Sequence, residues 1–209
     1  MINKRNTWFL WCMLILITGC HKKQQPSKDV VELARNLTQG ASIILKGDTI
    51  HTLRKLPPVG SQAESFTLTN NDFQDVSLSD FKGKTVILNI FPSIDTRVCA
   101  TSVRKFNKEA ARLKNTVILC ISKDLPFAQK HFCAAEGIKQ VILLSDFRSN
   151  FGQTYGVQIV DGAMRGILSR AVIVINPEGK IIYEEQVPDI AQEPRYEKAL
   201  QAINNYPVI

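Results

Sequence analysis

The chain has 209 residues, of which 44% are hydrophobic and 22% charged, and these values exclude a disordered or fibrous protein. A net charge of +7 would suit binding to nucleic acid or to anionic lipid, but the basic residues are scattered and form no long run. We therefore expect one sizeable core and no nucleic-acid partner.

The first 19 residues have the pattern of an export signal. The basic pair Lys4-Arg5 precedes an apolar run, Trp8 to Ile17, which is too short to span a bilayer. The residues I-T-G-C at 17–20 resemble the bacterial lipobox, whose cysteine is lipidated and becomes the new N-terminus. We predict a lipoprotein signal peptide over 1–19 and lipidation of Cys20. A plain secretory peptide or an N-terminal helix is the alternative.

The stretch 20–40 begins with the lipidated cysteine and continues as a polar segment, which is typical of a tether. A lipobox cysteine carries more than one acyl chain, and each buried methylene contributes about 0.8 kcal/mol to membrane binding. We therefore expect an exported protein that is lipid-anchored to a bacterial membrane, on its periplasmic or cell-surface side, with a folded domain over 41–209.

The domain begins with a predicted β-hairpin, in which Ile43 to Leu45 and Thr49 to Leu53 flank a glycine turn. Later apolar runs are typical of strands buried on both faces, and they lie at Thr85–Phe91, Val117–Ile121, Val141–Leu144 and Ala171–Ile175. A last strand at Ile181–Val187 follows the turn at 176–179, so we expect it to form a hairpin with the strand before it.

Three segments have helical patterns. The first follows Thr96 and has an apolar stripe with spacings of three and four, formed by Cys99, Val103, Phe106, Ala110 and Leu113. The second begins at Pro126 and stops at Gly137. The third opens near Pro194, with an inner stripe of Tyr196, Leu200 and Ile203. The alternation predicts an α/β fold with a mixed central sheet flanked by helices, consistent with a thioredoxin-like fold.

The cysteines differ in their predicted roles. Cys12 falls in the signal peptide and Cys20 is the lipid site, so the domain keeps Cys99, Cys120 and Cys133. No pair forms C-x-x-C, which disfavours an ordinary thioredoxin-type disulfide exchanger and a zinc finger. Since the three histidines are also far apart in sequence, we expect no metal site and no cofactor.

Cys99 has a position that suits a reactive thiol. With Thr96 as the N-cap, Cys99 is the third residue of the helix, where unpaired amides and the positive end of the helix dipole favour a thiolate. The alternative is that Cys99 only fills the apolar face that it shares with Val103 and Phe106.

The residues around Cys99 resemble a known family. F-P-S-I-D-T-R-V-C at 91–99 and S-V-R-K-F-N at 102–107 are similar to the peroxidatic-cysteine segment of the peroxiredoxins, specifically the bacterial thiol peroxidase subfamily. The segments at 119–129, 132–137 and 169–172 also resemble it, in the same order. The resemblance implies the peroxiredoxin form of the thioredoxin-like fold and a thiol-dependent peroxidase.

The resemblance also implies the site residues. Cys99 would attack the peroxide and become a sulfenic acid, and Cys133 would resolve it as an intramolecular disulfide. Thr96 would hold the thiolate through its hydroxyl, Arg170 would supply positive charge, and Pro92 would shield the sulfenate. We expect Cys120 to be a core residue without a catalytic role.

The resemblance implies three partners. They are a peroxide substrate (hydrogen peroxide or an organic or lipid hydroperoxide), a thioredoxin-like dithiol reductant and a second copy of the chain in a homodimer. Two other functions stay open: a thiol-disulfide oxidoreductase, and a non-catalytic lipoprotein binding module on the same fold. Arg97 departs from the family, which usually has glycine there. It either assists Arg170 in holding the thiolate or points to solvent or lipid headgroups.

Overall fold

The computed structural model describes residues 40–206. The strands are β1 (Ser42–Leu45), β2 (Asp48–His51), β3 (Thr67–Asn70), β4 (Asp75–Ser77), β5 (Thr85–Ile90), β6 (Thr116–Ser122), β7 (Ile142–Ser145), β8 (Ala171–Ile175) and β9 (Ile181–Gln186). The helices are α1 (Arg97–Ala110), α2 (Pro126–Glu136), α3 (Phe151–Thr154) and α4 (Tyr196–Asn204), with a 3-10 helix over Leu78–Phe81.

Seven of these strands form one mixed sheet in the order β4-β3-β7-β6-β5-β8-β9, and β1 and β2 form a separate hairpin. The central strand β5 pairs in parallel with β6 and antiparallel with β8, and all of its residues are buried. The fold is thus the expected α/β sandwich around a mixed sheet, with the thioredoxin-like arrangement predicted from the sequence. The β1–β2 and β8–β9 hairpins confirm two further predictions.

The core lies on both faces of the sheet because successive strand residues point to opposite sides. On β5, Val86 and Leu88 pack into a cluster with Phe66 and Tyr155. Ile87 faces the other cluster, which contains Phe91, Cys99, Val103, Phe106 and Tyr196. The apolar stripes of α1 and α4 therefore cover the same face of the sheet, and that face carries the cysteine at the start of α1.

The first two predicted helices are close to those observed. Helix α2 starts with Pro126 at its first turn and ends at Gly137, whose φ of 63° is the left-handed conformation that glycine adopts without strain. Helix α1 ends at Ala110, so Leu113 lies beyond it, although its side chain packs against the same core.

Four short elements were not predicted from the sequence. Strands β3 and β4, the 3-10 helix and α3 have only three or four residues each, too few to establish a period in the sequence. The structure pairs β3 with both β4 and β7 and so adds two strands to the sheet.

Within residues 40–206, no helix is long and apolar enough to cross a membrane. The predicted signal peptide at 1–19 and nearly all of the predicted tether lie outside the described residues.

Candidate active site

The predicted nucleophile lies where β5 gives way to α1, at the edge of the sheet where the parallel strands β5 and β6 end. Asp124, just after β6, fastens the connecting loop. Its carboxylate accepts hydrogen bonds from the Ser93 hydroxyl (2.8 Å) and the Ile94 amide (2.7 Å). The Ser122 hydroxyl donates to the same carboxylate at 2.7 Å. The loop that starts α1 is therefore fixed to the neighbouring strand.

Thr96 is the N-cap of α1 and Cys99 its third residue, as predicted. The Thr96 hydroxyl does not cap the backbone, however. Its Oγ1 lies 2.7 Å from the Cys99 sulfur and 3.2 Å from the Ser93 carbonyl oxygen, so the hydroxyl can donate to either. Cys99 itself is completely buried. A threonine hydroxyl has a single hydrogen to donate. When Thr96 donates it to the sulfur, it can stabilise a thiolate there.

Arg170 contacts the same sulfur from the start of β8, the strand that flanks β5 on the side opposite β6. Because Ile90 pairs with Ala171, the start of β8 lies beside the end of β5. The Arg170 side chain is 2% exposed, and its Nη2 lies 3.3 Å from the Cys99 sulfur. Nε and Nη2 also donate to the Ile190 carbonyl oxygen, both at 3.0 Å. The backbone of the β9–α4 connection thereby sets the orientation of the guanidinium.

The buried charge of Arg170 needs a counter-charge. In the part of the chain that the structure describes, Arg170 makes no salt bridge with a carboxylate. The hydrogen bond from Lys105, at 2.7 Å, is the main cause that lowers the pKa of Glu193, and the charge of Arg170 adds to it. That carboxylate therefore already has a cation of its own. A thiolate on Cys99 would supply the missing negative charge, since buried ions are costly unless paired. The arrangement suits a nucleophilic thiolate.

The other residues of the loop differ in exposure. Pro92 is buried directly after Phe91, in the segment that leads from β5 to the cysteine. Arg97 occupies the first position of α1 and is exposed. Among residues 40–206, its guanidinium has neither a hydrogen-bond partner nor a salt-bridge partner, and so the structure places no group of Arg97 on the sulfur.

Cys133 lies on α2, half-buried, and its thiol is free, as is that of Cys99. It packs against the core cluster that contains Cys99. Burial raises the pKa of the Cys133 thiol, and a hydrogen bond from Asn71 Nδ2, 3.6 Å from the sulfur, opposes that rise. The two cysteines therefore sit on separate helices that face one core.

Cys120 is completely buried in the middle of β6. Burial raises the pKa of its thiol to about 12, even though Asn89 Nδ2 lies 3.5 Å from the sulfur and acts in the opposite direction. Such a thiol is overwhelmingly protonated at neutral pH and is a poor nucleophile.

Three residues that contribute to the site were not predicted from the sequence. Asp124 holds the loop, Asn71 contacts the sulfur of Cys133, and the Ile190 carbonyl orients Arg170. A signal existed for Asp124, because polar residues that follow adjacent parallel strands meet at one edge of the sheet. Asn71 and Ile190 lie in connections whose placement depends on the whole fold.

Comparisons with known proteins identify the family to which the chain belongs. Residues 58–200 match the family model described as Redoxin. The thiol peroxidase of Mycobacterium tuberculosis is 56% identical over 163 residues, covering 78% of this chain and 98% of the relative. That of Corynebacterium glutamicum is 50% identical over 159 residues, covering 76% and 96%.

Solved structures are similar as well. A peroxiredoxin-like protein from Aquifex aeolicus superposes with a TM-score of 0.76 at 36% identity, covering 80% of this chain and 98% of that one. A thiol peroxidase from Chromobacterium violaceum gives 0.74 at 18% identity, covering 80% and 98%, a likeness that concerns the fold alone.

Proposed function

This chain belongs to the redoxin family as a thiol peroxidase, and from that premise we propose that Cys99 and Cys133 carry its catalytic cycle. The Cys99 thiolate attacks the terminal oxygen of a hydroperoxide, the S–O bond forms, and the O–O bond breaks. The sulfenic acid keeps the terminal hydroxyl. The leaving group is an alkoxide from an organic hydroperoxide or hydroxide from hydrogen peroxide, and it takes up one proton to become an alcohol or water. The Cys133 thiolate then attacks the sulfenic sulfur, a disulfide forms, and hydroxide leaves. The hydroxide takes up a proton and is released as water.

The observation that supports this cycle is the pair of donors on one buried sulfur. Thr96 Oγ1 and Arg170 Nη2 converge on Cys99 from different elements, at 2.7 and 3.3 Å. Two donors that converge on a sulfur favour its charged form and leave it ready to react without reorganisation. Pro92, buried ahead of them, would keep solvent from the nascent sulfenate.

The two thiols are free, Cys99 in the first turn of α1 and Cys133 in the last part of α2. A disulfide would have to bring their Cβ atoms to within about 4.5 Å of each other. We infer that the first turn of α1 unwinds after oxidation, a local opening of the kind that low-stability segments allow.

Variants of the three domain cysteines test the cycle. Cys99→Ser should abolish peroxide-dependent consumption of a dithiol. Cys133→Ser should consume about one peroxide per chain and accumulate sulfenic acid, because attack needs only the Cys99 thiolate. Cys120→Ala is the matched control and should turn over normally. Unchanged turnover in Cys99→Ser would overturn the cycle.

The same assay separates the alternative functions. A thiol-disulfide oxidoreductase would consume the dithiol with a disulfide substrate and without peroxide. In a non-catalytic binding module, an alkylating reagent would modify Cys99 slowly and without selectivity over other thiols. The electron donor in our proposal is a thioredoxin-like dithiol protein on the exported side of the membrane, which reduces the disulfide to two thiols and is itself oxidised.

We also propose that the chain is exported and lipid-anchored through Cys20. The support is the basic pair at 4–5, the apolar run at 8–17 and I-T-G-C at 17–20. Native protein should partition with membranes and carry acyl mass on Cys20, and Cys20→Ala should lose the lipid while its detergent-solubilised form keeps peroxidase activity. Recovery of the native mature protein without acyl groups would contradict the anchor.

A homodimer is the third proposal, and its support is an exposed patch of three aromatic side chains. The Phe73 ring lies 4.8 Å from Phe127 and 6.4 Å from Phe147, and Phe127 is 68% exposed. Charged neighbours are already paired within the chain, Lys130 with Asp72 and Arg148 with Asp75. A second copy would therefore meet an apolar centre without like-charge repulsion.

Light scattering tests the dimer. The native protein should have the mass of two chains, and Phe127→Ser that of one. Val59→Ser is the matched control, because Val59 is 58% exposed but lies next to β9, at the opposite edge of the sheet from β4. A native protein with the mass of one chain would exclude the dimer.

A further inference from the structure

The β1–β2 hairpin pairs with the connection that orients Arg170. In that connection, the Ile190 carbonyl oxygen accepts hydrogen bonds from Arg170 Nε and Nη2, both at 3.0 Å. The amide of the same residue donates to the Ile44 carbonyl oxygen at 3.0 Å, and the Ile44 amide donates to the Pro188 carbonyl oxygen at 2.7 Å. Strand β1 therefore pairs with the backbone on both sides of Asp189, next to the carbonyl group that holds Arg170.

Apolar side chains of the hairpin pack with the same connection. Ile43 of β1 is completely buried and Ile50 of β2 is 3% exposed. The two residues form a small core cluster with Ile159 and Ile190, apart from the two larger clusters on the faces of the sheet. Truncation of Ile43 would leave a cavity in the cluster that contains Ile190. The position of Ile190 thus depends on the hairpin as well as on its own connection.

Strand β2 contacts the segment that holds the backbone before Arg170. Its His51 carbonyl oxygen accepts a hydrogen bond from the Val160 amide at 2.9 Å. Three residues earlier, the Val157 carbonyl oxygen accepts a hydrogen bond from the Ser169 amide at 2.8 Å, and Ser169 directly precedes Arg170. The hairpin is therefore connected to the backbone that leads into Arg170 and also to the oxygen that holds its guanidinium.

We propose that the β1–β2 hairpin is a positioning element of the active site. The hairpin fixes the Ile190 carbonyl oxygen, and that oxygen holds the guanidinium of Arg170 with its Nη2 3.3 Å from the sulfur of Cys99. This inference rests on Cys99 being the attacking thiolate. A preorganised charge acts only where it is already placed, and a displacement of about 1 Å caused far from the chemistry can cost on the order of 10²-fold in rate.

Ile43→Ala tests the proposal, because it loosens the cluster of Ile190 and removes no hydrogen-bonding group from the site. Stopped-flow measurement of sulfenic acid formation with hydrogen peroxide should show a loss on the order of 10- to 100-fold. Alkylation by iodoacetamide at neutral pH should also slow, and its pH profile should move to higher pH, because the thiolate loses part of its counter-charge. Ile43→Val, which keeps most of the side chain, should restore most of both rates.

A double-mutant cycle separates positioning from a general loss of structure. When Ile43→Ala is added to Arg170→Met, attack should slow by less than about twofold more, because the group that the hairpin positions is already absent. Leu68→Ala is the matched control. Leu68 is 1% exposed on β3, in a core cluster that contains neither Ile43 nor Ile190. This variant should unfold at a lower temperature than the native protein and still react at the native rates.

Asp161→Ala is the second variant and serves if Ile43→Ala folds poorly. The Asp161 side chain is 45% exposed, accepts a hydrogen bond from the His51 amide and lies 2.7 Å from the imidazole Nδ1. Its loss frees β2 from outside the core and should slow attack roughly 2- to 10-fold. Native rates of attack and alkylation in either folded variant, or additive losses with Arg170→Met, would overturn the positioning role. Failure of the native protein to oxidise Cys99 would instead overturn the cycle.

Discussion

Arg170 and Cys99 are 71 residues apart in the chain, yet Arg170 Nη2 lies 3.3 Å from the Cys99 sulfur, and both side chains are buried. The contact exists because β8 runs antiparallel beside β5, so that the start of one strand meets the end of the other. The guanidinium is held by the Ile190 carbonyl oxygen whether or not the sulfur is charged. The positive charge is therefore in place before substrate binds.

The first prediction follows from this contact. Arg170→Met should slow the reaction of Cys99 with hydrogen peroxide on the order of 10²- to 10³-fold, the range for loss of one preorganised donor. It should also slow iodoacetamide alkylation, because the thiolate loses its counter-charge. Stopped-flow and alkylation kinetics measure both. Arg165→Met, which removes an exposed arginine before the same strand, is the control. Unchanged alkylation in Arg170→Met would contradict the electrostatic role.

The second prediction concerns the loop that carries Cys99. Asp124→Ala removes the acceptor for Ser93 and for the Ile94 amide, so the free energy of unfolding should fall by about 1.5–3 kcal/mol, as for a hydrogen bond to a charged group. Attack on peroxide should slow as well, because the first turn of α1 is less firmly placed. Urea unfolding and stopped flow are the measurements.

Asp95→Ala is the control for that loop. The Asp95 side chain is exposed and has no hydrogen-bond partner among the described residues. The hydrogen bond that the Asp95 backbone amide donates to the Ser93 hydroxyl oxygen survives the substitution. Its stability and attack rate should match those of the native protein. An equal loss in the two aspartate variants would mean that Asp124 has no special role.

The third prediction concerns the pH dependence of resolution. Burial raises the pKa of Cys133, so at neutral pH the resolving thiol is mainly protonated, and only its thiolate can displace hydroxide from the sulfenic sulfur. Disulfide formation should therefore accelerate about tenfold per pH unit until that pKa is reached. A pH-independent rate between neutral and alkaline conditions would show that another step, such as unwinding of α1, limits resolution.

The fourth prediction concerns Asn71. Burial raises the pKa of the Cys133 thiol, and the hydrogen bond from Asn71 Nδ2, 3.6 Å from the sulfur, opposes that rise. Asn71→Leu should therefore raise the pKa further and slow disulfide formation at neutral pH by roughly 2- to 10-fold, the effect of one lost hydrogen bond. Attack by Cys99 in the same variant is the internal control and should not change. A normal rate of resolution would remove Asn71 from the mechanism.

The fifth prediction concerns Arg97, which is exposed at the first position of α1. A cation there opposes the positive end of the helix dipole, so Arg97→Gln should raise the free energy of unfolding by about 0.3–1 kcal/mol. Since the side chain has no contact with the sulfur, alkylation of Cys99 should stay within about twofold at physiological salt. A larger fall in alkylation would show that Arg97 does act on the thiolate.

The sequence by itself determined what depends on neighbouring residues. The spacing of Thr96 and Cys99 places the hydroxyl and the sulfur on one helical turn, and the apolar runs at β5, β6 and β8 predict buried strands. These features follow from the period of the backbone and from the first turn of a helix, so the chain order is enough to infer them.

Only the tertiary structure decided which distant groups support the two cysteines. Asp124, Ile190 and Asn71 lie in connections, where no sequence period marks a side chain's direction. Their positions depend on the order of strands in the sheet and on how α4 packs against α1. Such contacts are set by the closure of long loops around a shared core, and a local pattern carries no record of them.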